Sequence, residues 1–520
     1  MASDTTSIQN QQPSKMKKTL SLAGLTINAM ALIAPGAFLW ITIQVQAAQK
    51  DPAGFSTASD IWFGLLVALI LSFLTAASYA WLSKRYPESG AGSSYYFAQR
   101  AWLDRGSSNR SARNAKFAVG WLSHLYYWVY PGVMVAFMAV LLSWVLQTLG
   151  FAVSPFAQIA IAFAFATVTG YIAYRGIQGS TKTNLLLNIV QLTMLVGVTI
   201  MALAYRFLNP NLSFEFSNIG SIVIPHNASH VLFQATIAIL VLVGFETATA
   251  LTAEAKNPKD VPRAVVLSLA IQGAFAYLFA YFGFLAWISK DGLAAAAASS
   301  APYGDMVRNL GNVFFGGNGF ILMMIVAVVV LAAILGTTLA CMNTGVRVTY
   351  AISSDTEVPR QLSKMNPQYA TPGVGIWVMT LISAIIGAFG ALSVINLTAI
   401  CLLSNVGTFI LYGLTNFVAM LAFAKERSSI LKRRIVPLLG LSANVLMLGV
   451  VVWLGLLGGG DSAWEALFAL AGTAIWLLLG LVYFRVNSRT QSSPLFPFPG
   501  LEPTNDKKTR YTTRKDQGGF

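Results

Sequence analysis

The sequence predicts an all-α polytopic membrane protein with twelve transmembrane helices, and three observations carry that prediction. Apolar types make up 56% of the 520 residues and charged types only 10%, against roughly 25% charged in soluble proteins. Mean hydropathy is +0.63. The apolar residues also gather into runs long enough to cross the hydrocarbon, which takes about 20 residues of helix. A soluble domain of this size needs far more polar surface to cover its core, so the solvent for this much apolar area is lipid.

The first nineteen residues are polar. The apolar run that follows is longer than a signal-peptide core of about 7–15 residues and reads as an uncleaved first span at 22–46. Runs at 61–83, 117–149, 156–174, 184–207 and 231–252 complete a first six. Runs at 264–288, 320–352, 373–392, 395–423, 435–457 and 464–484 make a second six. Between spans two and three, residues 89–116 form a loop whose aromatic stretch, 95–102, is expected to lie along the interface as a half-buried helix. Between spans seven and eight, residues 289–319 carry an alanine run and several glycines. The polar, proline-bearing segment 487–520 is expected to be disordered.

Basic residues orient the spans. With a cytoplasmic N-terminus and strict alternation, one side receives Lys15, Lys17, Lys18, the seven basic residues from Lys84 to Lys116, Arg175, Lys182, Lys256, Lys259 and Arg263. The same side receives Arg347, Arg360, Lys364, five between Lys425 and Arg434, and seven from Arg485 to Lys515. Lys50, Arg206, Lys290 and Arg308 fall outside. This is the positive-inside asymmetry, and it places both termini in the cytoplasm of a cell-membrane protein. The net charge of +15 therefore reports topology and contact with a lipid bilayer, not a nucleic-acid partner. Cys341 and Cys401 both sit in apolar runs, so no disulfide framework is expected.

No catalytic constellation is visible. His124, His226 and His230 lack metal-ligand spacing and there is no phosphate-binding glycine loop, so neither a metal, a cofactor nor direct use of ATP is indicated. His226 and His230 fall in an external loop, where they read as solvated side chains. His124, followed by Tyr126, Tyr127 and Trp128, either lines a pocket or packs.

Two spans are interrupted at membrane depth. The first carries Ala34-Pro35-Gly36-Ala37 near its centre, where proline removes a backbone donor and glycine adds backbone freedom. The sixth carries Val243-Gly244-Phe245-Glu246. Interrupted helices at matching places in two halves point to a midplane binding site in transporters, and a half-helix N-terminus can hold a carboxylate. The alternative is an ordinary proline kink and a packing glycine. Glu246 is the carboxylate set well inside a predicted span, at a cost of roughly 2.5–3.5 kcal/mol on insertion scales. A residue at that cost faces a cavity, carries a proton or pairs with a cation such as a substrate ammonium; otherwise it is a structural carboxyl. Thr337 and Thr338, mid-span in the eighth helix, either cap a cation site or bond their own backbone. Arg347 lies near the cytoplasmic end of that helix, where it can snorkel or contact a helix end.

These motifs resemble those of amino acid–polyamine–organocation permeases. Gly244-Phe245-Glu246, then Ala253-Glu254-Ala255-Lys256-Asn257-Pro258 and Val261-Pro262-Arg263-Ala264, looks like that family's sixth helix and following loop. The stretch from Asn343 to Ile352, with Val358-Pro359-Arg360 and Thr371-Pro372, is similar to its eighth helix and following loop. The stretch from Tyr86 to Tyr96 is similar to its first cytoplasmic loop. The resemblance covers roughly residues 20–425 and implies a five-plus-five inverted repeat, with a site between helices one, three, six, eight and ten. On that pattern, residues 1–20 are a cytoplasmic tail, 21–425 the transport core, 426–486 two further helices and 487–520 a second tail. Two departures stand out. The family's glycine-serine-glycine break is Ala34-Pro35-Gly36 here, so the usual serine contact is missing. Many proton-coupled members carry a lysine seven positions after an asparagine in helix five; counted from Asn184, that place is Gln191, which cannot take up and release a proton.

The resulting expectation is an amino-acid or amine permease working by alternating access, coupled to protons through Glu246 or acting by exchange. With no intramembrane lysine or arginine near the break, neutral amino acids are favoured over acidic ones. A non-transporting membrane sensor that kept the permease fold is the rival reading. A membrane-embedded enzyme is discouraged by the lack of paired acids or metal ligands in the spans.

Overall fold

The structure, a computed structural model, describes residues 19–33, 35–87, 92–176, 181–355, 358–425 and 429–487. Most of both predicted tails, and Ala34, lie outside the described residues. The chain runs through α1 (Leu22–Ile33), α2 (Pro35–Ala48), α3 (Ile61–Arg85), α4 (Ser94–Asp104), α5 (Asn109–Thr148), α6 (Pro155–Tyr174) and α7 (Thr181–Leu208). A one-turn α8 (Ile219–Ile222) precedes α9 (Ala228–Ala238), α10 (Thr247–Ala250) and α11 (Val261–Phe275), which continues through a wider turn into α12 (Phe282–Trp287). Then come α13 (Gly292–Ala298), α14 (Pro302–Phe314), α15 (Gly319–Ser354), α16 (Gly373–Ala391), α17 (Val394–Phe423), α18 (Val436–Leu457) and α19 (Gly460–Asn487).

Among the described residues there are isolated backbone bridges but no named strand, and eleven stretches are long and apolar enough to cross a membrane. The predicted sixth span is the exception, because it is broken into α9, a tight turn and α10. Helix starts follow capping chemistry. The hydroxyls of Ser108, Ser154 and Ser393 accept the first-turn amides of Ser111, Ala157 and Asn396, which have no partner within their own helices. Two groups of helices form the centre. In one, α3 packs on both α9 and α11, and α1 lies along α11; in the other, α16 packs against α5 and α6. Helix α17 touches α5 and α3, and so lies between the groups.

Two loop expectations are corrected, and a third loop proves to be helical. The aromatic stretch in 89–116 forms α4, but Ser94–Gln99 is buried rather than half in the interface. Its polar groups explain this: the Ser94 hydroxyl donates to the Tyr79 hydroxyl at 2.8 Å, and the Tyr95 hydroxyl donates to Asp355 at 3.2 Å. Lys116, fully buried, joins Asp355 at 3.1 Å. The 289–319 loop holds two helices, α13 and α14, and α14 packs on α15 and α2. His226 and His230 are not plain solvated side chains. The His226 ring lies 3.4 Å from the buried carboxylate of Asp60, and that of His230 lies 3.1 Å from Asp51. The His226 amide also donates to Asp60 at 2.7 Å. Burial raises the Asp51 pKa, but the His230 hydrogen bond and those of the Phe55 and Ala53 amides outweigh it and hold the carboxyl below its ordinary value. The start of α9 is thereby clasped to the segment that leads into α3.

Candidate substrate site

The sixth span breaks where the sequence places Gly244. Helix α9 tightens through Ile239–Val241, residues 242–246 turn, and α10 resumes at Thr247. Gly244 has φ +124°, which side-chain-bearing residues rarely adopt. A Cβ there would lie 2.4 Å from Leu32 Cδ2 and 3.0 Å from Leu32 Cβ, so the bare glycine also lets the break approach the end of α1. Side chains from other helices take up freed carbonyls. Tyr130 donates to Leu240 O at 3.2 Å and Asn405 to Thr236 O at 2.7 Å. Thr247 donates back to Gly244 O at 2.7 Å.

Glu246 is fully buried, and three donors converge on its carboxylate. The Tyr126 hydroxyl reaches Oε1 at 3.0 Å, while the Tyr412 hydroxyl and the Gly244 amide reach Oε2 at 2.9 and 3.0 Å. None of the three is a cation. Aromatic rings wall the group: Phe245 lies 5.2 Å from Tyr412 and 6.1 Å from Tyr79, and Tyr127 lies 4.8 Å from Tyr126, measured between centroids. Val243 is buried beside them. An anionic oxygen pair among π-faces in a water-poor setting can accept a proton or meet an ammonium.

Ala34, in the middle of the first span, lies outside the described residues; the chain is helical on both sides of it, over Leu22–Ile33 and Pro35–Ala48, so Gly36 and Ala37 sit in helix and not in unwound chain. Gly36 faces α7: a Cβ on it would lie 2.8 Å from Gln191 Oε1. Gln191 donates to Asn188 Oδ1 at 2.9 Å, and Gln272 donates to the same oxygen at 2.7 Å. The buried Gln191 Oε1 and Gln272 Oε1 have no hydrogen-bond partner. Thr337 donates across to Ala31 O at 3.1 Å, tying α15 to α1, whereas Thr338 bonds Ile334 O of its own helix at 2.7 Å.

The structure thus brings Val243, Gly244, Phe245, Glu246 and Tyr127 together, and sets Gly36, Gln191 and Thr337 in a second polar cluster around helix one. His124 belongs to neither. Its Nδ1 lies 2.8 Å from Gly120 O and so carries the proton, which leaves Nε2 to accept from the Thr349 hydroxyl at 3.1 Å. Trp128 donates to that hydroxyl at 3.0 Å, so His124 pins α5 to α15. Tyr412 and Tyr79 were not anticipated from the sequence; they are ordinary residues of apolar runs, and no spacing marks them. Among the described residues no three His, Cys, Asp or Glu side chains gather as a metal site.

Residues 18–482 match the family model described as amino acid permease. The chain belongs to that family. The permease is 25% identical over 338 residues to the branched-chain amino acid permease BcaP of Bacillus subtilis (strain 168), and the match spans 64% of the length of each chain. It is 22% identical to the methylthioribose transporter of the same strain over 516 residues, which cover 94% of the permease and 97% of that relative. An uncharacterized transporter of Mycobacterium tuberculosis (strain ATCC 25618 / H37Rv) is 25% identical over 437 residues, 84% of the permease and 86% of its own length. The family and these relatives are transporters, not enzymes.

Proposed function

We propose that the permease moves neutral amino acids across the cytoplasmic membrane by alternating access, with Glu246 as the proton-carrying group at the substrate site. The observation that carries this reading is the fully buried Glu246 carboxylate, bonded to the Gly244 amide at the helix break and to two tyrosines but to no cation. A carboxyl so placed has an open electrostatic need that a proton or a substrate ammonium meets. Among the described residues no lysine or arginine bonds the Glu246 carboxylate at the break, which favours backbone amides for the substrate carboxylate and a neutral solute. The broken sixth span and the family match support a five-plus-five inverted repeat followed by α18 and α19, and Gln191 and Thr337 beside helix one are proposed to couple its movement to substrate binding. The relative named for branched-chain amino acids supports that class, and the one named for methylthioribose supplies the sharpest competitor.

Purified protein in liposomes is expected to take up radiolabelled leucine, isoleucine or valine above equilibrium when the outside is more acidic, and methylthioribose not at all. Uptake of methylthioribose with no amino-acid uptake would defeat the reading. Both termini are proposed to face the cytoplasm. Membrane-impermeant thiol labelling of cysteines placed at either end should fail in intact cells, and labelling at either would reverse the topology.

A further inference from the structure

A cavity of about 90 Å³ lies along α15 and is lined in part by Asn28, Asn184, Thr247, Asn343, Thr344 and Arg347; a single water needs only about 10–15 Å³. Its α15 wall runs from Gly336 to Arg347, about 16 Å of helix at 1.5 Å per residue. A smaller cavity touching Gln191 and Thr337 shares Asn184 and Gly336 with it, so the cluster around helix one and Arg347 lie on adjoining cavities. Among the described residues lining the two cavities, Arg347 carries the single charge. The others offer amides, hydroxyls and apolar surface.

Arg347 pairs with Glu254 across 2.7 Å, the side chains 19% and 16% exposed. Arg347 comes from α15 and Glu254 from the turn after α10. That turn is fixed in place, since Glu254 O accepts the Thr19 and Leu20 amides at 3.0 Å each and the Lys256 amide returns to Leu20 O at 2.8 Å. A partly solvated ion pair is weak, while a guanidinium binds any carboxylate through the same planar fork. One carboxylate can therefore replace another on Arg347 at little cost.

We propose that Arg347 is a carboxylate-binding subsite on the path away from the helix break, occupied by Glu254 until the carboxylate of a departing amino acid takes its place. The inference rests on the amino-acid reading above. It adds that the same solute meets its first fixed positive charge only after leaving Glu246, so a substrate carboxylate is drawn toward this end of the path. Opening of the Arg347–Glu254 contact accompanies its passage.

The test uses the full chain in lipid nanodiscs and the arginine reagent phenylglyoxal, with modification of Arg347 followed by peptide mass spectrometry. L-leucine is expected to slow modification of Arg347 by about threefold or more, the scale of a partly exposed ion pair, whereas L-leucinamide, lacking the carboxylate, leaves the rate unchanged. In Glu254→Gln the unliganded rate should rise and the leucine protection should grow. Equal protection by both ligands, or none by leucine in a protein that transports leucine, overturns the proposal. The wild-type comparison decides the matter even if Glu254→Gln fails to fold. Absence of amino-acid uptake by the wild type would overturn this inference together with the functional reading, and the uptake assay separates that failure from the others.

Discussion

Glu246→Gln is expected to leave the permease folded and able to exchange substrate, but to abolish accumulation against a gradient. The geometry explains both halves. Oε2 already accepts two bonds, from the Gly244 amide and Tyr412, and Oε1 accepts one, from Tyr126. The glutamine oxygen can take the Oε2 position and keep both of its donors. The new NH₂ then faces the Tyr126 hydroxyl, which turns to accept. Two of the three donors keep their acceptor, the Tyr126 O–H proton loses its own, and the ability to ionise is lost. Glu246→Ala differs in kind, because three donors lose their acceptor, at about 1–3 kcal/mol for each one left unsatisfied in the interior. Folded yield should therefore fall sharply in the alanine variant and little in the glutamine one. Measuring pH-gradient-driven uptake and counterflow side by side separates the roles. Uphill uptake by the glutamine variant with the pH dependence of the wild type would show that Glu246 braces the break without carrying a proton.

Much of this arrangement was legible in the sequence because the membrane makes it so. Apolar runs marked the eleven stretches long enough to cross a membrane, since hydrocarbon leaves few alternatives. Glu246 stood out for the same reason, a carboxylate in the wrong solvent, and Gly244 stood out beside it. The partners of Glu246 were less visible. Tyr126 and Tyr412 are 286 positions apart, and a tyrosine in an apolar run is as compatible with packing as with donating a hydrogen bond. The first span shows the limit of composition: Pro35-Gly36 signals an interruption, yet the described residues on either side of Ala34 are helical. His124 shows another. A buried histidine next to the site and one within it look alike until Gly120 and Thr349 are seen on its two nitrogens. His226 and His230 read as solvated because their aspartate partners, Asp51 and Asp60, lie far back in the chain.

Gly244→Ala should be a strongly damaging substitution, because two independent costs fall on one methyl group. A φ of +124° lies where residues other than glycine are strained by about 1–3 kcal/mol. The new Cβ would also stand 2.4 Å from Leu32 Cδ2 and 3.2 Å from Ile33 Cγ1, and overpacking of this kind costs about 1–3 kcal/mol more. Relief requires α1 to withdraw, which moves Leu32 and Ile33, or the turn to rewind, which draws the Gly244 amide away from Glu246. Either response disturbs the carboxylate that the break positions. The expected result is a lower Tm of the purified protein, a reduced monodisperse yield and loss of both uphill uptake and exchange in what remains. Two other glycines calibrate the outcome. A Cβ at Gly36 meets the flexible end of Gln191 at 2.8 Å, and one at Gly197 meets nothing within 4 Å. Gly36→Ala should therefore cost less than Gly244→Ala, because Gln191 can shift and the backbone there is helical. Gly197→Ala should be neutral or slightly stabilising, by up to about 1 kcal/mol, as alanine replaces glycine inside a helix. The order Gly197, Gly36, Gly244 in falling Tm is the signature of a break whose shape depends on the missing side chain. A Gly244→Ala protein with wild-type Tm and wild-type exchange would mean that the turn from Leu242 to Glu246 is free to rewind, and that the Gly244 amide is not what holds Glu246 in place.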